Sequence, residues 1–173
     1  GVAAMFFGGI SLAVEPCASA YAALLTRERA RRLVMLDPNI RPGFIRDEAL
    51  YRARLETLIA AADIVKLSDE DLGWLFGPGD ATDQARALLG RGPSLVCITE
   101  GPRGATAHHA AGHLHVAAPR VEVVDTVGAG DTFNAGLLVG LHEAGALTRA
   151  ALAAPDEDVL EEALTLGVRA AAA

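Results

Sequence analysis

Residues 125–136 read Asp-Thr-Val-Gly-Ala-Gly-Asp-Thr-Phe-Asn-Ala-Gly, so three small residues stand directly before a carboxylate. Small residues at Gly128, Ala129 and Gly130 let the backbone turn tightly and approach a ligand. Residues 121–124 ahead of them predict a strand, and residues 131–144 predict a helix. The N–H groups of Ala129, Gly130 and Asp131 then point outward at a helix N-terminus. Such a terminus binds anions through unpaired donors and the helix dipole. A carboxylate beside an anion needs a separate task. Removing a proton from an attacking hydroxyl, while the amides hold a transferring phosphoryl group, is such a task. The alternative, that Asp131 only caps the helix, suits a lone Gly-x-Gly-Asp. It suits less well a full run with a buried strand before it and a small-residue helix after it. Neither G-x-x-x-x-G-K-[ST] nor G-x-G-x-x-G occurs here, so the anion site is of neither common type.

Three other polar stretches follow apolar runs: 37–43 (Asp-Pro-Asn-Ile-Arg-Pro-Gly), 66–71 (Lys-Leu-Ser-Asp-Glu-Asp) and 99–104 (Thr-Glu-Gly-Pro-Arg-Gly). Ligands of parallel sheets sit beyond the carboxyl ends of the strands, so all four stretches could converge on one edge. Arg41 is apt for phosphate because its guanidinium is a fixed, permanently charged fork; the competing role is to tie down its own Pro-rich loop. Asp69 and Glu70 read as a solvated helix start, and for Asp71 that reading and a site role are evenly matched.

The elements that must position these residues alternate. Strands are expected at 5–12, 33–36, 64–67 and 95–99, the early ones continuously apolar, and a hairpin at 105–109 and 113–116. Helices are expected at 18–31 after Pro16, at 47–62 with Leu50, Leu55, Leu58 and Ile59 near one face, and from 68 to about Phe76. Others run from a Thr82 cap to Leu89, from 131 to 144, and onward from Pro155-Asp156. Apolar strands alternating with helices predict an α/β domain, its mostly parallel sheet covered on both faces. No repeat, low-complexity tract or linker divides residues 1–173, which read as one domain.

With 173 residues, 51% of them hydrophobic, the chain can bury a sizeable core. A formal net charge of -7 argues against nucleic acid or an anionic membrane as partner. Cys17 and Cys97 lack zinc or redox spacing and read as two reduced, mostly buried thiols of a cytoplasmic protein. His108, His109, His113 and His115 fall on the hairpin without a carboxylate or thiol at ligand spacing, and read as an exposed hairpin with polar tips. Trp74 reads as core packing. No apolar run is long enough to span a membrane. The chain starts at Gly1 within a strand-like run and stops inside a helical one, as expected of a piece of a longer protein.

The run DTVGAGDTFNAG resembles the C-terminal signature of the ribokinase-like, or phosphofructokinase-B type, carbohydrate kinases. FGGISL, LDPNIRP, DIVKLSDED and ITEGPRGA appear in that family's order and are most similar to bacterial fructokinases. The resemblance covers almost the whole chain. It implies a three-layer αβα sandwich with a mostly parallel sheet. It also implies that the sugar-contacting N-terminal part, with its β lid, lies outside these residues. By it, Asp131 is the catalytic base, and Gly128, Ala129 and Gly130 form the anion hole. Thr99, Gly101 and Gly104 cradle the nucleotide phosphates, and Arg41, with Asn39 in the same loop, stands on the phosphoryl or substrate side. Ser68 and Asp71 fall where the family has Asn-x-x-Glu and would act on Mg2+ through water. Asp125 and Val127 would help hold a monovalent cation, K+ in most members. Lys66 lies nearby without an assigned role. The implied activity is ATP-dependent phosphorylation of a sugar hydroxyl, fructose to fructose 6-phosphate, with 2-keto-3-deoxygluconate phosphorylation as the runner-up. A nucleotide-binding domain without turnover is the competing class, and residues 1–173 alone are expected to be inactive. The whole protein would pair as a homodimer through the lid.

Overall fold

A computed structural model of the protein describes residues 1–121 and 127–173. Among the described residues, six strands form one sheet in the order of the chain: β1 (Ala4–Gly8), β2 (Leu33–Asp37), β3 (Ile64–Ser68), β4 (Leu95–Thr99), β5 (Ala105–His109) and β6 (Gly112–Val116). The first four are parallel, and β5 and β6 add an antiparallel hairpin against β4.

The apolar runs are continuous because both faces of the sheet are covered. Along β2, Val34 and Leu36 enter one core while Leu33 and Met35 enter another, as the two-residue period of a strand requires. The first core is closed by α1 (Cys17–Glu28), α2 (Glu48–Ile59), α3 (Asp69–Phe76) and α4 (Ala81–Leu89). The second is closed by α5 (Ala129–Glu143), α6 (Arg149–Ala153) and α7 (Glu157–Ala171). The arrangement is the expected three-layer α/β sandwich.

Helix α5, which carries the Gly-rich run, lies unusually close to α7. A Cβ at Gly136 would stand 2.8 Å from the Gly167 Cα, and one at Gly140 would stand 2.6 Å from the Ala163 Cα. Glycine here serves close approach of two backbones.

Several local expectations need correction. The chain leaves β1 at Gly8, and Gly9–Leu12 is a 3₁₀ turn. Residues 5–12 are therefore not one buried strand, and Phe6 is exposed on the sheet edge. Leu50 is exposed; Tyr51 takes the core position on α2 and packs edge-on against Trp74, which lies against the first core as expected. Asp80, not Thr82, caps α4, accepting the Asp83 N–H at 3.0 Å. Helix α6 was not anticipated. Cys17 is exposed and only Cys97 is buried. His108 and His109 are buried under the hairpin rather than presented at its tip. The strand expected at 121–124 falls largely outside the described residues.

Candidate active site

Because β2, β3 and β4 are parallel, they end at the same edge, and Ser68 and Thr99 lie side by side in the register. The polar loops therefore emerge together. After β2, Asn39 adopts a left-handed backbone (φ 42°), and its N–H is taken by the Asp37 Oδ1 at 3.1 Å. After β3, Ser68 and Asp71 form a reciprocal cap of α3. The Asp71 N–H donates to the Ser68 Oγ at 3.0 Å, and the Ser68 N–H donates to the Asp71 Oδ2 at 3.0 Å. The other oxygen of Asp71 accepts the Ile40 N–H at 2.8 Å, which joins the β2 and β3 loops. After β4, Thr99 Oγ1 donates to the Leu67 carbonyl at 3.4 Å. The Glu100 N–H reaches the Gly104 carbonyl at 2.8 Å, closing a turn. Gly104 sits at φ 106°, where a Cβ would lie 2.0 Å from the Val116 carbonyl oxygen, so no other residue fits.

The start of α5 differs from the other helix starts. Asp47, Ser68, Asp80, Thr148 and Asp156 cap their helices, and α1 receives Glu15, which accepts the Ser19 N–H. Among the described residues, no side chain caps α5. Its N-cap is Gly128 at φ 85°, a left-handed conformation that glycine adopts without steric cost. The amides of Ala129, Gly130 and Asp131 open the helix, and Asp131 itself is exposed beside them. Among the described residues, the start of α5 is a helix N-terminus without a side-chain cap and with a solvent-facing carboxylate in its first turn.

Directly beneath lies a buried polar cluster. Lys66, on β3, donates from Nζ to the Asp37 Oδ2 at 3.1 Å, and the Asn134 Nδ2, on α5, donates to the same oxygen at 2.8 Å. All three side chains are buried. Burial pushes the Asp37 carboxyl above its usual range, against the opposing pull of Lys66 and then of Asn134. A Cβ at Gly130 would stand 3.1 Å from the Lys66 Nζ, so the ammonium sits against the first turn of α5. Asp37, Lys66 and Asn134 are residues to which sequence reasoning gave no role. The available signal was a charged residue inside each of two otherwise apolar strands, since a buried charge requires a partner.

The structure thus joins the 37–41 loop, the 68–71 turn and the N-terminus of α5 by hydrogen bonds and contact, with Thr99 adjoining Ser68. Arg41 is exposed and donates to its own Ile40 carbonyl at 3.1 Å. Val127 is exposed, and Asp125 falls outside the described residues. Among the described residues, no three or more His, Cys, Asp or Glu side chains are grouped to hold a metal ion, the hairpin histidines included. No described helix is long and apolar enough to cross a membrane.

The chain matches the pfkB family carbohydrate kinase over residues 2–173. It belongs to that family. Among curated members it is similar to a fructokinase of Rhizobium leguminosarum bv. trifolii, 48% identical over 157 residues, covering 91% of this chain and 48% of that protein. It is also similar to a fructokinase of Klebsiella pneumoniae, 40% identical over 149 residues, covering 85% of this chain and 48% of that one. The chain spans about half the length of these two pfkB relatives. Among solved structures, the Salmonella enterica aminoimidazole riboside kinase, complexed with aminoimidazole riboside and an ATP analog, superposes with a TM-score of 0.80 at 30% identity, covering 96% of this chain and 54% of that one. The Vibrio cholerae fructokinase bound to fructose, ADP and calcium superposes with a TM-score of 0.81 at 25% identity, covering 95% and 51%.

Proposed function

We propose that this pfkB chain is the nucleotide-binding and catalytic portion of an ATP-dependent sugar kinase acting on fructose. The observation that carries the proposal is the start of α5, which no described side chain caps, with Asp131 exposed in its first turn. In this reading the amides of Ala129, Gly130 and Asp131 hold the oxygens of the transferring phosphoryl group. Asp131 takes the proton from a sugar hydroxyl, whose oxygen attacks the terminal phosphorus in line. The bond to the bridging oxygen breaks, and ADP leaves with that oxygen. Thr99, Gly101 and Gly104 cradle the remaining phosphates, and Asn39 and Arg41 face the acceptor.

The donor set suits an ion that arrives with the nucleotide. Asp71 is buried and each of its oxygens already accepts a backbone N–H, so it offers lone pairs to bound water rather than an open chelate. Mg2+ is bound in this way, through few carboxylates, substrate phosphates and several waters. When bound, it would neutralise charge on the phosphates. Asp125 and Val127 are the proposed contributors to a K+ site.

Support for fructose is the identity to the two bacterial fructokinases. Aminoimidazole riboside is a second acceptor to test, because the Salmonella enterica kinase is similar at 30% identity. The deciding experiment is ADP release by the whole protein with fructose, aminoimidazole riboside and 2-keto-3-deoxygluconate as acceptors. Highest kcat/KM on fructose is expected. A preference for either other acceptor reassigns the substrate, and no turnover with any sugar removes the kinase reading.

A further inference from the structure

A lysine whose ammonium is buried inside a sheet, with an asparagine above it, is a costly way to fill a core. The neighbours of Lys66 on its strand, Val65 and Leu67, are fully buried apolar residues, and Met35 and Cys97 belong to the core on the α5 side of the sheet. Asn134 is 3% exposed, and among the described residues its Oδ1 makes no hydrogen bond. A leucine there would avoid that unpaired oxygen. Stability alone gives no reason for this choice; location does.

The Asp37 carboxylate joins three elements. Its Oδ2 accepts from Lys66 on β3 and from Asn134 on α5, and its Oδ1 accepts the Asn39 N–H of its own loop. Asn134 lies three residues after Asp131, on the same side of α5. Lys66 Nζ lies against Gly130. From the β2 loop the connection continues through the Ile40 N–H to Asp71, and from Asp71 to Ser68. One chain of hydrogen bonds therefore runs from the second turn of α5 to the start of α3.

We infer that Asp37, Lys66 and Asn134 are positioning residues: together they fix where the first turn of α5, with its anion-binding amides and Asp131, stands relative to the loops after β2 and β3. Without them the two layers would still pack, but the amides and the carboxylate would not be held in register with the other loops. A misplacement of about 1 Å at a reacting group costs up to roughly a hundredfold in rate. The catalytic consequence rests on the kinase reading; the structural content does not.

The test compares the whole protein with its Lys66→Met and Asn134→Leu variants and with the Asp37→Asn/Lys66→Met double variant, which leaves no unpaired charge and so protects folding. Amide hydrogen exchange at 129–134 is expected to rise about tenfold or more in the variants, while exchange in α4 and α7 stays near wild type. With the sugar that the wild type accepts, kcat is expected to fall about tenfold or more. The KM for ATP should stay within about threefold, and the double variant should be no worse than Lys66→Met, as for residues acting as a unit. Exchange that rises only in step with the rest of the molecule, or a wild-type kcat in the folded variants, overturns the inference. A wild type that turns over no sugar removes the kinase reading only, and the exchange comparison then decides this inference by itself.

Discussion

The Lys66 ammonium occupies the space that a side chain at Gly130 would need: a Cβ there would come within 3.1 Å of Nζ. Gly130 lies inside α5, where alanine is the better helix former by about 1 kcal/mol. Gly130→Ala therefore separates stability from function. Its melting temperature is expected to match or exceed wild type, because the helix gains what the contact loses. Turnover is expected to fall about tenfold or more as the first turn shifts off Lys66. A thermal melt beside an ADP-release assay reads both.

Asp131→Asn keeps the size of the side chain and the first turn of α5 while removing the proposed base. Nucleotide binding by calorimetry should be equal or slightly tighter, since a negative charge beside the phosphates is gone. Turnover should drop by about 10²–10⁴-fold, the usual loss for a positioned base. Near-normal turnover would withdraw Asp131 from the proposed role.

The two cysteines should react very differently. Cys17 is exposed, whereas Cys97 is fully buried and its thiol is pushed up to about 12 by that burial. The thiolate is the reactive form. A disulfide reagent at neutral pH should thus modify Cys17 in the native protein and Cys97 only after denaturation, as read by peptide mass spectrometry. Fast modification of Cys97 in the native protein would contradict the packing of β4.

His108 should make the fold sensitive to acid. Burial, and next the charge of His113 across the hairpin, press its pKa from 6.5 down to about 4. A base whose folded pKa is depressed is held neutral by the fold, and the unfolded chain binds the extra proton. The contribution is therefore fully present above pH 6.5 and is lost as pH falls toward 4. Urea midpoints at pH 7.5 and 5 should differ in wild type. The difference should shrink in His108→Gln.

Gly140→Ala should destabilise the protein by about 1–3 kcal/mol, the range for overpacking a tight contact. The added methyl meets Ala163 at backbone distance, and neither helix has a flexible side chain there to yield. Urea denaturation measures it directly. An unchanged midpoint would show that the helices can separate without cost.

Much of the fold was legible because buried parallel strands carry continuous apolar runs, as at 33–36 and 95–98, and because the turn residues between them are explicit. Where the reading slipped, tertiary placement decided. An apolar run at 5–12 could not reveal that Gly8 ends the strand or that β1 sits at an edge of the described sheet. The burial of His108 and His109 depends on what covers β5. The Gly-rich turn and Asp131 were legible as a local pattern. The cluster below them was not, since Lys66 and Asn134 meet Asp37 from 29 and 97 residues away.

Helices α5 and α7 touch almost backbone to backbone at Gly136, Gly140, Ala163 and Gly167. A seam that tight opposes sliding of one helix over the other. Asp131 is therefore carried by two helices that move as one body, and in the proposed kinase reading a closing motion either displaces both or brings the acceptor to Asp131.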